Sequence, residues 1–407
     1  MAADTTPNSA TLSPTDAEEY RSRVREFLES NTVANPSYDD ARRFYGKLAD
    51  AGLGGTTYPA EFGGAGLTKA HDRIFREESA NYPFMGTEFI ISHGMCLPVL
   101  NDFGTDDQKK TFMPDIISGA TLWCQMFSEP GAGSDVASLQ TRAERDGDEW
   151  ILNGQKVWTT LAHKSDYGVL IARTNPEAVK HAGISMFIVP MTAPGVEIRP
   201  IHQIDGGRHF NEVFFSDARI PADHLLGEEN NGWNQATAML MYERVAIGTV
   251  GGGKINHPVF KLLKAAARDN GQLDNPVLRQ QMMEIYSMET TKALMAIRTR
   301  AEMKAGKAPG PGGSLGKLFG SKIHWRMREV LMNMRGPASM AWTTDGAEPD
   351  GFELARYTLN SFQSSIAGGT DEIQKNIIGD RVLGLPRDIS VDRGVPFNEL
   401  KVGTQRS

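Results

Sequence analysis

The sequence predicts an α+β multidomain protein. It comprises an N-terminal all-α domain, a middle β-barrel or sandwich domain, and a C-terminal four-helix bundle. Two switches in the period of the apolar residues carry this prediction. Up to about residue 120 they recur every three to four positions. From 121 to 230 they form short runs cut by Gly, Pro, Asn and Asp, and from 231 the helical period returns in long stretches. At roughly 100–200 residues per domain, 407 residues suffice for several domains, and 40% hydrophobic residues suffice for a large core. Lys plus Arg number 43 against 50 Asp plus Glu, a net charge of −7. That balance argues against general attraction to nucleic acid or to an anionic membrane surface.

Residues 1–13 read as a disordered tail. The opening MAADTTPNSATLSPT holds no Lys, Arg or apolar stretch, so it is no secretory leader and makes a poor transit peptide. The domain 14–120 opens on an amphipathic helix over 16–29 with acids in its first turn, and a second over 39–51 stops at Gly52. Further helices are expected at 69–80, 89–103 and 106–118. In the domain 121–230, strands over 149–152 and 155–159 flank Asn153-Gly154, a hairpin signal. Strands over 167–172, 185–190, 197–201 and 212–216 follow, separated by turns such as Ala193-Pro194-Gly195 and Asp205-Gly206-Gly207. In the domain 231–387, helices are expected at 233–248, 277–305, 315–335, 351–365 and 371–383. Residues 388–407 read as a C-terminal arm.

Cys96 and Cys124 cannot form a disulfide framework and fit a reducing cytoplasm. The nine histidines are scattered without metal-ligand spacing, so no metal is expected. No uninterrupted apolar run reaches the ~18 residues of a membrane span.

Five segments could carry chemistry, and each also has a plain structural reading. Residues 127–135 (FSEPGAGSD) form a tight turn whose exposed N–H groups could hold an anion or a polar ring edge, or simply end a strand. Trp158-Thr159-Thr160 could wall a flat ring, or pack in the β core. Residues 248–255 nearly spell a phosphate-binding loop, but Ile255 stands where Ser or Thr is required, so close helix packing is preferred. Glu243 shares a helix face with Met239, Leu240, Ala246 and Ile247 and has no base three or four residues away. It could serve as a desolvated general base, or pair with a distant cation at a helix seam. Thr370 reads as an N-cap with Asp371 and Glu372 in the first turn, after Gly368-Gly369.

Taken together and in this order, the chain resembles the acyl-CoA dehydrogenase family from about Asp16 to Arg387. Its markers here are Tyr58-Pro59 with Gly63-Gly64, residues 127–135, residues 152–158 (LNGQKVW), residues 221–227 (PADHLLG), Glu243-Arg244, Gly336-Pro337-Ala338, residues 369–374 and residues 381–386 (RVLGLP). The pattern looks actinobacterial. The resemblance implies FAD, held by Met126, Phe127, Ser128, Gly133 and Ser134, and by Trp158, Thr159 and Thr160 at the isoalloxazine edge. Arg268, from a neighbouring subunit, and Thr370 with Glu372 would hold its remainder. Ser134, Arg244 and Gly368 would border the acyl-CoA substrate.

Two departures stand out. The family often carries its catalytic Glu in Glu-Gly-Thr, but here that position is Gly368. The isovaleryl-CoA and long-chain branches place the base on the bundle helix instead, just before an Arg, where this chain has Glu243. The family's Arg-x-x-Phe-Gly is replaced by Arg268-Asp269-Asn270-Gly271-Gln272. The implied reaction is α,β-dehydrogenation of an acyl-CoA to the trans-2-enoyl-CoA. Glu243 takes the α-proton, hydride passes to the flavin, and electrons pass to an electron-transfer flavoprotein. Gly368 beside the reacting carbons implies a branched or sterol-derived acyl chain. The implied assembly is a homotetramer, or an α2β2 heterotetramer with a homologous subunit. The rival readings are a flavin acyl-CoA oxidase or monooxygenase, and a non-catalytic subunit.

Overall fold

The computed structural model describes residues 12–248, 255–305, 312–340, 352–387, 389 and 392–400. Residues 1–11 of the predicted tail, most of the 248–255 stretch and much of the arm lie outside these residues. The chain divides into two compact units. One holds the described residues of Met1–His202, Arg208–Gly252 and Ser390–Ser407; the other holds those of Gln203–Gly207 and Gly253–Ile389.

The first unit opens with helices α1 (Pro14–Asn31), α2 (Tyr38–Asp50) and α3 (Lys69–Ser79). Ser13 caps α1 by accepting the Asp16 N–H, and Ser37 and Asp40 form a reciprocal capping box on α2. Tyr20, Val24 and Leu28, one turn apart, pack on Phe44, Leu48 and Ile74. The helix expected over 89–103 is interrupted. Ser92–Cys96 is a π-helical turn, and α4 (Leu97–Phe103) continues from it. Pro98 has no N–H to donate, and the Leu97 N–H reaches back to the Ser92 carbonyl instead. Helix α5 (Asp106–Ile117) follows, with a capping box from Thr105 and Gln108.

The strands are β1 (Trp123–Met126), β2 (Arg142–Asp146), β3 (Glu149–Thr160), β4 (Tyr167–Arg173), β5 (Ile184–Pro190), β6 (Val196–Pro200), β7 (Phe210–Pro221) and β8 (Leu225–Leu226). They form an eight-stranded sheet ordered β6-β7-β3-β2-β4-β5-β8, with β1 parallel to β4. Strict alternation sends Val169 and Ile171 to one core and Leu170 and Ala172 to another. The second core gathers Trp150 and Leu152 from β3, Phe187 from β5 and Val213 from β7. Trp150 meets Phe187 with ring centroids 5.1 Å apart although their strands are not neighbours, so the sheet curls over its own core. The first core joins β1, β4 and β5 to α4, α5 and α6 (Gly232–Gly248). Helix α6 packs on this core through Ala236 and Met239.

The hairpin expected at Asn153-Gly154 is not there. β3 runs straight through, and the β2–β3 turn is at Gly147-Asp148. Asn153 instead bonds Asp217 on β7 through both its Nδ2 (2.9 Å) and its Oδ1 (3.0 Å) beside a register shift.

The second unit holds α7 (Pro258–Asp269), α8 (Pro276–Lys304), α9 (Gly312–Arg335), α10 (Phe352–Asn360) and α11 (Asp371–Arg381). Leu263, Ala267, Met282, Ile285, Met327 and Val330 form its core. Helix α7 is absent from the predicted segments. Its N-terminus is capped from a distance, because buried Glu289 on α8 accepts the N–H groups of Val259 (2.9 Å) and Phe260 (3.1 Å).

Candidate active site

β1 ends in the Gly-rich turn, whose shape is set from below by a buried ion pair. Lys156, fully buried on β3, donates to the Phe127 carbonyl (3.0 Å) and to Glu129 Oε1 (2.8 Å). Glu129 also accepts the N–H groups of Gln140 (2.6 Å) and Thr141 (2.9 Å). Burial alone would raise the Glu129 carboxyl. The Lys156 ammonium and these donors outweigh it and hold the group below its ordinary value. Glu129 and Ala132 exchange both backbone bonds, 3.0 Å each, across Pro130-Gly131. The turn leaves Gly133 and Ser134 exposed, and a Cβ on Gly133 would meet nothing within 4 Å. The side chains of Met126 and Phe127 lie in the two cores, so only their backbones could face a ligand. Ser128 is half-buried.

The tip of β3 is tied to this turn. Between Lys156 and Thr159 the pairing with β7 takes in one extra residue, a bulge. The Val157 N–H turns aside and donates to the Ser128 carbonyl at 2.9 Å. Trp158 takes φ +61°, a backbone region rare for a bulky side chain, and its indole stands 59% exposed. Thr159 is 1% exposed, and its hydroxyl has no hydrogen-bond partner among the described residues. Asn211 fixes the Thr159 carbonyl at 2.9 Å. The structure therefore brings residues 128–134 and 158–160 together. Lys156, Glu129 and Asn211, which hold them, were not singled out by the sequence reading for any role. A Lys inside a strand is ordinarily taken to face water.

Glu243 lies near the end of α6, half-buried, after Met239, which is fully buried in the first core. Tyr242 beside it hydrogen-bonds Asp102 of α4. The Arg244 side chain lies outside the described residues.

In the second unit, Gly368 and Gly369 take φ +67° and +84°, which favour glycine. Gln374, buried on α11, donates to both of their carbonyls (3.2 and 3.3 Å). Thr370 caps α11 by accepting the Ile373 N–H (3.2 Å). Asp371 is held by Ser321 (2.7 Å), and Glu372 is exposed. Arg268 is exposed in the last turn of α7, and Gln272 after it bonds the Met334 carbonyl at 2.6 Å. Gln374 is a further supporting residue that sequence reasoning did not single out. One Gly-x-Ser-x-Gly, 312–316, opens α9 with Ser314 buried; a hydrolase elbow would need a strand before it. Among the described residues no group of three or more His, Cys, Asp or Glu could hold a metal ion, and no helix is long and apolar enough to cross a membrane.

Three domain profiles match the chain in succession: acyl-CoA dehydrogenase, N-terminal domain, over residues 14–120; middle domain, over 124–218; and C-terminal domain, over 230–383. The chain belongs to the acyl-CoA dehydrogenase family, whose members are generally FAD-dependent. It is 38% identical to acyl-CoA dehydrogenase IpdE1 of Mycobacterium tuberculosis, over 92% of this chain and 99% of that one. It is 37% identical to acyl-CoA dehydrogenase FadE34 of the same organism, over 84% of this chain and 46% of that one. Among solved structures it is similar to the Tcur3481-Tcur3483 steroid ACAD, with 28% identity and a TM-score of 0.75 over 93% of this chain and 99% of that one. It is also similar to the ChsE4-ChsE5 complex from M. tuberculosis, with 30% identity and a TM-score of 0.72 over 93% and 99%.

Proposed function

We propose that this chain dehydrogenates an acyl-CoA thioester at its α and β carbons, with FAD as cofactor and Glu243 as base. One observation carries the cofactor reading. An exposed Trp158 in a left-handed conformation stands beside a buried Thr159 hydroxyl without a partner. A flat ring with a polar edge would cover the first and bond the second. The hydroxyls of Ser128 and Ser134, the backbone of 126–128, open Gly133, and Thr160 complete that donor set. Arg268 from a neighbouring subunit, and Thr370 at the N-terminus of α11, suit the anionic pyrophosphate, and Glu372 would accept from hydroxyls elsewhere on the cofactor. A bound flavin supplies the acceptor for the β-hydrogen, which leaves as hydride.

This chain's own groups do the rest. The half-buried Glu243 carboxylate takes the α-proton, a step in which positioned transfer contributes roughly 10²–10⁴-fold. The Gly368 N–H donates to the thioester carbonyl as negative charge develops there. Gln374 holds the carbonyls of Gly368 and Gly369, which fixes the two peptides that follow that N–H. Ser134 and Arg244 border the thioester.

The substrate read here is a bulky, branched or sterol-derived acyl-CoA. Gly368 in place of a loop glutamate supports it, as does the likeness to a protein described as a steroid ACAD. The two-part names of the similar structures support an α2β2 assembly with a homologous subunit, beside the homotetramer. Electrons leave to an electron-transfer flavoprotein, in the cytoplasm. The test is the anaerobic visible spectrum of the purified protein, titrated with acyl-CoA thioesters of increasing bulk. Bleaching of the flavin band, most complete with branched or sterol-derived thioesters, is expected. A flavoprotein that bleaches only with short straight chains would overturn the substrate reading. Peroxide formation in air at the rate of turnover would favour an oxidase.

A further inference from the structure

The C-terminal arm is fastened to the same turn that carries Ser134. Lys180, in the loop between β4 and β5, has a side chain only 10% exposed. Its Nζ donates to Asp135 Oδ2 at 2.6 Å and to Asp392 Oδ2 at 2.8 Å. Asp135 also accepts from Ser138 Oγ at 2.5 Å. Arg173 makes a second link. It is 4% exposed, donates to the carbonyls of Lys180 (2.6 Å) and Ala137 (2.7 Å), and is covered by the Phe397 ring at 3.7 Å. The arm is zipped to this loop, since the N–H groups of Phe397 and Asn398 donate to Ala178 and Pro176, both at 2.9 Å. Val179 also pairs with Pro396.

A tail that merely covered surface would leave two cations in water. Here both are largely removed from it, and the arm supplies a carboxylate to one and an aromatic face to the other.

We propose that Lys180 is a positioning residue. Bridged between Asp392 and Asp135, it fixes residues 133–135 so that Ser134 presents its hydroxyl to cofactor and thioester. The described arm, 392–400, is then part of the frame of the site. This inference rests on the reading of Ser134 given above.

The holoenzyme is compared with Lys180→Met, Lys180→Arg, Asp392→Asn and Phe397→Ala, with Ser134→Ala as reference. The FAD dissociation constant, KM and kcat are measured well below each melting temperature. Lys180→Met is expected to raise both the FAD dissociation constant and KM about tenfold, the worth of one charge-assisted hydrogen bond, with a smaller change in kcat. Lys180→Arg recovers most of the loss, and the two arm variants move in the same direction as Lys180→Met. A lowered melting temperature with unchanged dissociation constant and KM would assign Lys180 to stability alone and overturn the inference. If Lys180→Met does not fold, the arm variants decide by the same criterion. If Ser134→Ala is impaired and Lys180→Met is not, only this inference falls. If Ser134→Ala is itself silent, the reading of Ser134 falls and the inference with it.

Discussion

Thr159 keeps a hydroxyl away from water without a partner among the described residues, a situation that costs about 1–3 kcal/mol. Thr159→Val removes that cost from the flavin-free chain and removes a donor from the cofactor site. The flavin-free protein is expected to melt higher while its affinity for FAD falls. Melting curves and FAD titration of the same variant check this, and a drop in both would mean the hydroxyl is satisfied without the cofactor. Lys156 and Glu129 behave as a unit. Lys156→Met strands a buried carboxylate and is expected to cost roughly 3–5 kcal/mol, with much of it recovered on adding Glu129→Gln. The sign of the pH effect follows from the lowered Glu129 value. Its stabilisation is present above the unfolded glutamate value of about 4.3 and is lost as pH falls through the lower folded value. Urea midpoints measured across that acid range should fall with pH in the wild type and fall less in Glu129→Gln. The motifs that nominate Trp158, Ser134, Glu243 and Gly368 as candidates were legible in the sequence. Their supports were not, because Lys156 and Lys180 look like solvent-facing lysines until the fold buries them.

At the level of elements, capped helices were the most legible. α1, α2 and α5 start within two residues of the positions their apolar period and first-turn acids predict, and the structure adds caps at Ser13, Ser37 and Thr105. Asn153-Gly154 misled for a physical reason. Its Asn bonds Asp217 across the sheet, and Gly154 sits at φ +148° where a Cβ would meet Thr141 Oγ1 at 2.5 Å. Gly154→Ala is therefore expected to destabilise by about 1–3 kcal/mol, read from denaturant midpoints. A neutral Gly154→Ala would show that the strand can shift away from Thr141. The π-helical turn at Ser92–Cys96 and the bulge at Trp158 could not be read from local pattern, since both depend on where neighbouring backbone groups fall. Helix α7 was missed although Pro258 and its apolar period mark it locally; only the support of its start by Glu289, thirty residues on, lay beyond the local pattern.

On the scale of the whole molecule, the order of helical, β and helical segments was legible because the apolar period changes with each. The helix bearing Glu243 is tied through Met239 to the core shared with β4 and β5. A chain that binds FAD only when folded should gain stability with cofactor concentration, about 2.7 kcal/mol at a hundredfold excess over the dissociation constant. The most direct measurement is single-turnover bleaching of the flavin band, anaerobically, with the best thioester, in wild type and in Glu243→Gln. The variant should keep its FAD and its thioester affinity and lose at least about 10²-fold in the bleaching rate. Bleaching at the wild-type rate in Glu243→Gln would show that another group takes the α-proton.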